Sequence, residues 1–289
     1  TAGAPVGTVP LRGDQRADIV VIGGGFVGLS AALHAAEAGA RVIVTEAKTI
    51  GWGSAGRNAG QVSAHASKLE PWDVLRIYGP ERGARLNEAG ARAPEFVQTL
   101  AARHGIDLGA VHGGIVSAAH TPGAASKFRR RAEYWQAHGA PVEYLDASAA
   151  AEVIGGDYYL GAVLDRRGIA INPLSFVRGL ARAAMAAGVA IHEHSKVTRL
   201  DRNGGGWRVQ TADGSLSADH VLLCTNAYTD DLWPGLRRSI IPVRGYQIWT
   251  KPLSDNVART ILPDVSALND SRRLISGARS MTIVEAARA

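Results

Sequence analysis

Along this chain the spacing of apolar residues switches between continuous β-branched runs and a period near 3.6, so strands and helices are expected to alternate. The clearest unit is DIVVIGGGFVGLSAALHAAEAGARVIVTE, from Asp18 to Glu46. Ile19 to Ile22 is a short apolar run of the kind that forms a buried parallel strand. The Ala/Leu-rich stretch Leu29 to Ala38 predicts a helix, and Gly39 fits its C′ stop. Arg41 to Thr45 is a second β-branched run, closed by Glu46. Together they predict a βαβ unit.

Further on, Ala47 to Val62 holds four glycines with little apolar periodicity and reads as a loop. Glu70 to Gly105 turns helical, with Pro94 at a helix start. Val111 to Ala118 predicts a strand, and Ser126 to His138 a helix with Phe128, Ala132 and Trp135 on one face. Val142 to Leu145 predicts a strand, followed by a helix to Ile154 capped by Asp146 or Ser148. Strands Leu160 to Leu164 and Gly168 to Ile171 bracket a turn. Asn172 and Pro173 open a helix, on which Leu174, Val177, Leu180, Ala181 and Ala184 share a face and which Gly188 ends. Val189 to His192 is the next strand. Asn203 to Gly206 is a hairpin turn between Val197 to Leu200 and Trp207 to Thr211, and Asp213-Gly214 marks a second turn. Ala218 to Cys224 reads as a buried strand and Ile240 to Thr250 as a strand carrying Arg244, Tyr246, Gln247 and Trp249.

Composition narrows the class. With 289 residues, 46% hydrophobic and 20% charged, the chain suits one large globular domain or two smaller ones. No run approaches the length of a membrane span, and Thr1 to Gln15 lacks the apolar core of a secretory signal, so it reads as a flexible leader. The single cysteine, Cys224, excludes an internal disulfide and a cysteine-based zinc site. It reads as a small core residue, and a reducing cytoplasm is the simplest location. The formal charge of +6 raises nucleic acid as a partner. Against it, the only tight basic cluster, Arg129 to Arg131, reads as a solvated helix face, and no aromatic-interleaved basic ribbon occurs. His192 and His194 flank Glu193 with no third ligand evident. An exposed or edge position is favoured over a metal site.

The candidate chemistry sits in the first unit. Gly23, Gly25 and Gly28 are spaced G-x-G-x-x-G. Gly23 permits a tight turn, Gly25 leaves room for a pyrophosphate near the backbone, and Gly28 allows close helix–strand packing. The helix N-terminus directs its free N–H groups at an anion. Glu46, eighteen residues after Gly28, ends the second strand, where a carboxylate binds both ribose hydroxyls and repels a 2′-phosphate. A dinucleotide site is therefore expected, with NADP disfavoured. In the following loop Arg57 and Asn58 are placed for phosphate or a polar ring, unless the loop is simply a mobile surface connection.

That loop, GWGSAGRNAGQV, resembles the GWGASGRNGGQV signature of FAD-dependent amine and amino-acid oxidoreductases of the D-amino acid oxidase/glycine oxidase superfamily, most closely the gamma-glutamylputrescine oxidoreductases. The resemblance runs from about Asp18 to Arg273. It includes GIAINP (Gly168 to Pro173), CTNAYT (Cys224 to Thr229) and PVRGYQ (Pro242 to Gln247). The chain departs at Ser54-Ala55, where the family has Ala-Ser, and at Ala59, where it has Gly. Past Ser280 the likeness fades. The resemblance implies an α/β architecture: a Rossmann-like FAD-binding domain (16–90 and 165–232) and a discontinuous mixed-sheet substrate domain (91–164 and 233–289), the latter incomplete at the C-terminus, after a leader over 1–15.

Carried over position by position, the resemblance sets FAD against Gly23, Gly25, Phe26, Val27 and Gly28, then Glu46, Ala47 and Lys48. It continues through Gly53, Ser54, Arg57, Asn58, Ala59, Gly60 and Gln61, and ends at Val197, whose backbone would meet the adenine, with Thr225 and Asn226. Arg244, Tyr246 and Gln247 would face the substrate. No catalytic residue is singled out and no metal is expected. The implied reaction oxidises the carbon–nitrogen bond of a small amine or amino acid: hydride passes to the flavin, the imine hydrolyses, and oxygen or another acceptor reoxidises the cofactor. Two other readings stay open. One is an NAD-dependent dehydrogenase on the same βαβ unit. The other is a shortened, non-catalytic or partner-dependent FAD-binding chain, covered by a second copy or another protein.

Overall fold

The computed structural model describes residues 2–65, 68–243, 245–247, 250–251, 253–265 and 267–272, and the backbone of 277–279. Its contacts divide into two compact units. The first is built from the described parts of Thr1–Asn58, His104–Leu108 and Pro173–Gln247, the second from those of Ala59–Arg103, Gly109–Asn172 and Ile248–Ala289. The resemblance had drawn cuts at 90/91, 164/165 and 232/233. Contacts instead group 59–90 and 165–172 with the second unit, where Gln61–Val62 pairs with Ile169–Ala170 and Ala170 with Val111, and they group 104–108 and 233–247 with the first.

The first unit centres on a six-stranded sheet. Its spatial order is Ala190–His192, Val42–Thr45, Gly13–Ile22, Gly214–Leu223, Gly206–Gln210, Arg199–Asn203. The first four strands are parallel, and the last two add an antiparallel meander. Ile19 pairs with Val42 on one side and His220 on the other, so the apolar run is enclosed as its pattern requires. The strand starts at Gly13, not Ile19, because Gly214–Leu223 offers a ladder along its whole length. One core cluster joins Leu11, Ala17, Val20, Ile22, Ile43, Val197, Val209, Leu216 and Ala218.

The crossover helix Phe26–Glu37 buries Gly28, Leu29, Ala32 and Leu33. It begins three residues before the apolar period, since Phe26 packs its ring 5.2 Å from Phe176 on helix Pro173–Ala186. It ends at Ala38, and Gly39 takes φ +92° as the expected C′ residue. Helix Pro173–Ala186 buries Val177, Leu180, Ala181 and Ala184, four of the five residues read on its apolar face.

Three expectations in this unit are corrected. The leader is held, not free: Thr8 N–H donates to Glu193 Oε2 at 2.8 Å, Leu11 N–H donates to Ser195 Oγ at 2.8 Å, and Leu11 is buried. Those acceptors lie more than 180 residues away, where no local pattern reveals them. The edge position expected for the His192–His194 segment is present, but His192 and Glu193 are buried there, and His194 leaves the strand with φ +53°. Finally, Ile240 to Thr250 forms no strand in its described residues. Ile241, Val243 and Tyr246 are 87%, 85% and 87% exposed. A β-branched run becomes a strand only beside a ladder partner and a surface to bury against, and the described residues supply neither.

The second unit carries a five-stranded mixed sheet in the order Gly277–Arg279, Ala267–Asp270, Ile115–Ala118, Gly161–Asp165, Val142–Asp146. Helix Pro122–Ala137 covers it with Phe128 and Ala132. Asp146 Oδ1 caps helix Ala147–Ile154 by accepting from Ala149 N–H at 3.0 Å. The helical stretch before Gly105 resolves into Pro71–Tyr78, Pro80–Ala91 and Ala93–Arg103. Arg129 and Arg130 are exposed as expected, yet their guanidiniums stand 4.1 Å from the ring centre of Tyr144 and 4.0 Å from that of Trp72. Arg131 is turned inward to buried Glu70, with Nε–Oε2 at 2.8 Å and Nη2–Oε1 at 2.5 Å, so the cluster is not merely a solvated face. No described helix is long and apolar enough to cross a membrane.

Candidate functional site

The glycine turn hangs from the carboxyl ends of three adjacent parallel strands. Gly23 N–H donates to Thr45 O and Cys224 N–H to Ile22 O, each at 2.8 Å. Gly23 adopts φ +112°, and a methyl there would stand 2.6 Å from Cys224 O. A methyl on Gly28 would overlap Gly23 O, so helix and strand approach more closely than any other residue allows. Gly25 differs. It is the extended N-cap of a twelve-residue helix, makes no side-chain cap bond, and a methyl on it would meet only Ala55 Cβ, at 3.8 Å. The helix N-terminus at Phe26, Val27 and Gly28 therefore opens onto space beside Gly25. That is the geometry in which backbone N–H groups and the helix dipole accept an anion.

Glu46 stands beside this opening. Its Oε2 accepts from Gly24 N–H and its Oε1 from Lys48 N–H, both at 2.9 Å, while its own N–H donates to His192 O at 2.9 Å. The carboxylate is thus fixed at the carboxyl end of the strand Val42–Thr45, and each oxygen retains a lone pair for a hydroxyl. Ala47 and Lys48 are exposed next to it.

The loop after Lys48 is more structured than its glycines suggest. A one-turn helix, Ser54–Arg57, follows Gly53, and Asn58 Nδ2 ties its end by donating to Ser54 O and Ala55 O at 3.0 Å each. Ser54 is exposed. Arg57 lies 4.9 Å from the ring centre of Trp52 and donates from Nη2 to Tyr228 Oη at 3.2 Å; the Trp52 and Tyr228 rings are 5.7 Å apart. Gln247 Nε2 donates to Arg57 O at 3.1 Å, so it joins this cluster without a strand to carry it. Tyr228 was not singled out from the sequence, although it lies in the CTNAYT segment that carries the resemblance.

The remaining candidates are scattered more widely. Val197 is buried in the sheet core. Thr225 Oγ1 is 2.7 Å from Thr229 Oγ1, and Asn226 takes φ +46° at the start of a 3-10 turn, Asn226–Tyr228. Ala59, Gly60 and Gln61 belong to the second unit. There Gly60 O accepts from Ile171 N–H at 2.7 Å, Gln61 pairs with Ala170, and Ala59 is exposed. Tyr246 is exposed, and Arg244 lies outside the described residues.

Four titrations are displaced, those of Cys224 and Asp18 among them. Burial pushes the Cys224 thiol up, away from the thiolate a nucleophile needs. The Arg41 N–H bond to Asp18 Oδ2, at 2.8 Å, and then the Arg41 guanidinium hold the Asp18 carboxyl below its usual range. Among the described residues no group of three His, Cys, Asp or Glu side chains is placed to hold a metal ion.

The chain is 33% identical over 261 residues to gamma-glutamylputrescine oxidoreductase of Escherichia coli K12, covering 89% of this chain and 60% of that protein. It is 27% identical over 238 residues to glycine oxidase of Geobacillus kaustophilus, covering 80% of this chain and 60% of that one. The crystal structure of Geobacillus kaustophilus glycine oxidase superposes with a TM-score of 0.62 at 26% identity, over 78% of this chain and 59% of that one. The L-amino acid deaminase of Proteus myxofaciens shares the fold, with a TM-score of 0.60 at 20% identity over 76% of this chain and 48% of that one. The chain thus spans about 60% of the length of these two curated relatives. The family model described as DAO, FAD dependent oxidoreductase, matches residues 18–280, and the chain belongs to that family.

Proposed function

We propose that this chain binds FAD and belongs to a protein that oxidises the carbon–nitrogen bond of a small amine or amino acid. One observation carries the reading: the helix N-terminus opens onto free space beside Gly25, and the fixed carboxylate of Glu46 stands next to it. A pyrophosphate and a ribose diol ask for that pair of features. The named relatives, an amine oxidoreductase and an amino-acid oxidase, supply the substrate class.

In this reading the N–H groups of Phe26, Val27 and Gly28 face the pyrophosphate across Gly23 and Gly25, and Glu46 accepts from the ribose hydroxyls. Ala47, Lys48 and the Val197 backbone flank the adenine side, with Thr225 and Asn226 at the neighbouring strand end. Gly53, Ser54, Arg57 and Asn58 extend along the cofactor towards its ring. When bound, FAD supplies the acceptor for a hydride leaving the carbon next to a neutral amine. Tyr246 and Gln247 are assigned to the substrate side, Gln247 because it already bonds the Arg57 carbonyl; Arg244 is named with them by its charge. The side chains bind and orient. A reducing cytoplasm goes with this reading, on the strength of the lone Cys224.

The test is the visible spectrum of the purified chain, recorded without oxygen while small amines and amino acids are added in turn. Flavin absorption that bleaches with one substrate class is the expected result. A colourless protein that binds NADH would overturn the reading in favour of a nicotinamide dehydrogenase.

A further inference from the structure

Glu193 is a buried carboxylate, 3% exposed, that the proposed chemistry does not use. Its charge is met by backbone donors from two distant segments. Oε1 accepts from Ile50 N–H at 2.6 Å, and Oε2 accepts from Thr8 N–H at 2.8 Å and, more distantly, from the Thr8 hydroxyl at 3.4 Å. Glu193 N–H donates in turn to Thr8 Oγ1 at 3.1 Å. Beside it Ser195 Oγ donates to Glu193 O at 2.9 Å and accepts from Leu11 N–H at 2.8 Å.

The two branches differ in what they reach. The Thr8 and Leu11 bonds fasten the N-terminal strap, which Ser195 also holds. The Ile50 bond fastens the wall of the glycine turn. Ile50 is 3% exposed, and its Cδ1 lies 2.5 Å from the place a methyl on Gly24 would occupy. Gly24 in turn donates its N–H to Glu46 Oε2. A run of direct contacts therefore leads from Glu193 through Ile50 and Gly24 to the carboxylate beside the helix N-terminus. Burying a charge is costly, and a strap could be tied by neutral groups, as Ser195 does for Leu11.

We propose that Glu193 is a positioning residue for FAD. By holding Ile50 against Gly24 it presets the turn and Glu46 for the dinucleotide; the inference rests on the FAD reading given above. Groups that support a binding site in this way lower the ordering cost of the ligand without touching it.

The test compares Glu193→Ala with Ser195→Ala. Both break a buried bond to the strap, but only the first releases Ile50. FAD dissociation constants are measured on the apoproteins by quenching of flavin fluorescence, with thermal unfolding as a check on folding. Glu193→Ala is expected to weaken FAD by about tenfold or more, since the buried bond that holds Ile50 is worth about that much, while Ser195→Ala, which leaves that bond in place, stays within about twofold of the parent. Half-saturating FAD rises for Glu193→Ala, and turnover at saturating FAD does not. Equal FAD affinity in Glu193→Ala and the parent overturns the inference, as does an equal loss in both variants. If Glu193→Ala does not fold, Ile50→Ala replaces it: the strap and Glu193 remain, and about tenfold weaker FAD is again expected, with unchanged affinity overturning the inference. A parent chain that takes up no FAD at all defeats the underlying reading instead, so the two failures are distinguishable.

Discussion

The glycine turn and the Ile240 to Thr250 stretch both carry a strand pattern in the sequence, and in their described residues they have different fates. Around Gly23 every local preference has a tertiary partner: strands on both sides of Ile19–Ile22, a carbonyl at Thr45 for the turn, and a carboxylate for Gly24. Around Val243 the apolar pattern is as good, yet no described strand pairs with it and its side chains face solvent. Local pattern nominates an element, and neighbours decide whether it forms. A cofactor site built on the first region is pre-organised, whereas a substrate wall built on the second still needs a surface to lie on.

The contrast can be strained from the first region outward. Gly28→Val should have the largest effect, since its side chain has no space between helix and strand. A loss of about 3 kcal/mol of stability is expected from overpacking, together with loss of FAD retention, read by chemical denaturation and visible absorbance. Glu46→Ala comes next. It strands the N–H groups of Gly24 and Lys48 and removes the proposed ribose acceptor, so FAD affinity measured by fluorescence titration should fall by about tenfold or more.

Asp18→Asn should cost less and depend on pH. The folded carboxyl titrates below its ordinary value of 3.8, so its contribution is complete above that pH and disappears as pH falls through the lower folded value. The gap in unfolding midpoint between parent and variant should therefore be constant near neutrality and close below about pH 4. The smallest effect belongs to the second region. Val243→Ala should change stability by less than about 0.5 kcal/mol, as for any exposed side chain. A loss of several times that would mean Val243 is packed after all, and the contrast between the regions would fail.

Legibility in the sequence followed the range of the interactions involved. The turn, its helix and the two flanking strands were readable because their determinants lie within thirty residues and each residue type has a steric reason. The Gly39 stop, the Asp146 cap and the Asn203–Gly206 hairpin were readable for the same cause. The helix Ser54–Arg57 was not, since a single turn shows no period among glycines. The fastened N-terminal strap and the burial of Glu193 depend on bonds spanning 185 positions, which composition and spacing do not encode. Of the site candidates, Gln247 reached Arg57 by a side-chain bond and not along the expected strand. Tyr228 owes its place in the cluster to Trp52 and Arg57, more than 170 positions earlier, and no local pattern joins them.

The most direct measurement is the ratio of extractable FAD to protein in the purified chain, with apoprotein titrated back by added FAD. An equimolar ratio, regained on titration, is the expected result. A well-folded chain that carries no flavin and takes up none when FAD is added would contradict the assignment of the Gly23–Gly28 turn and Glu46 as a cofactor site.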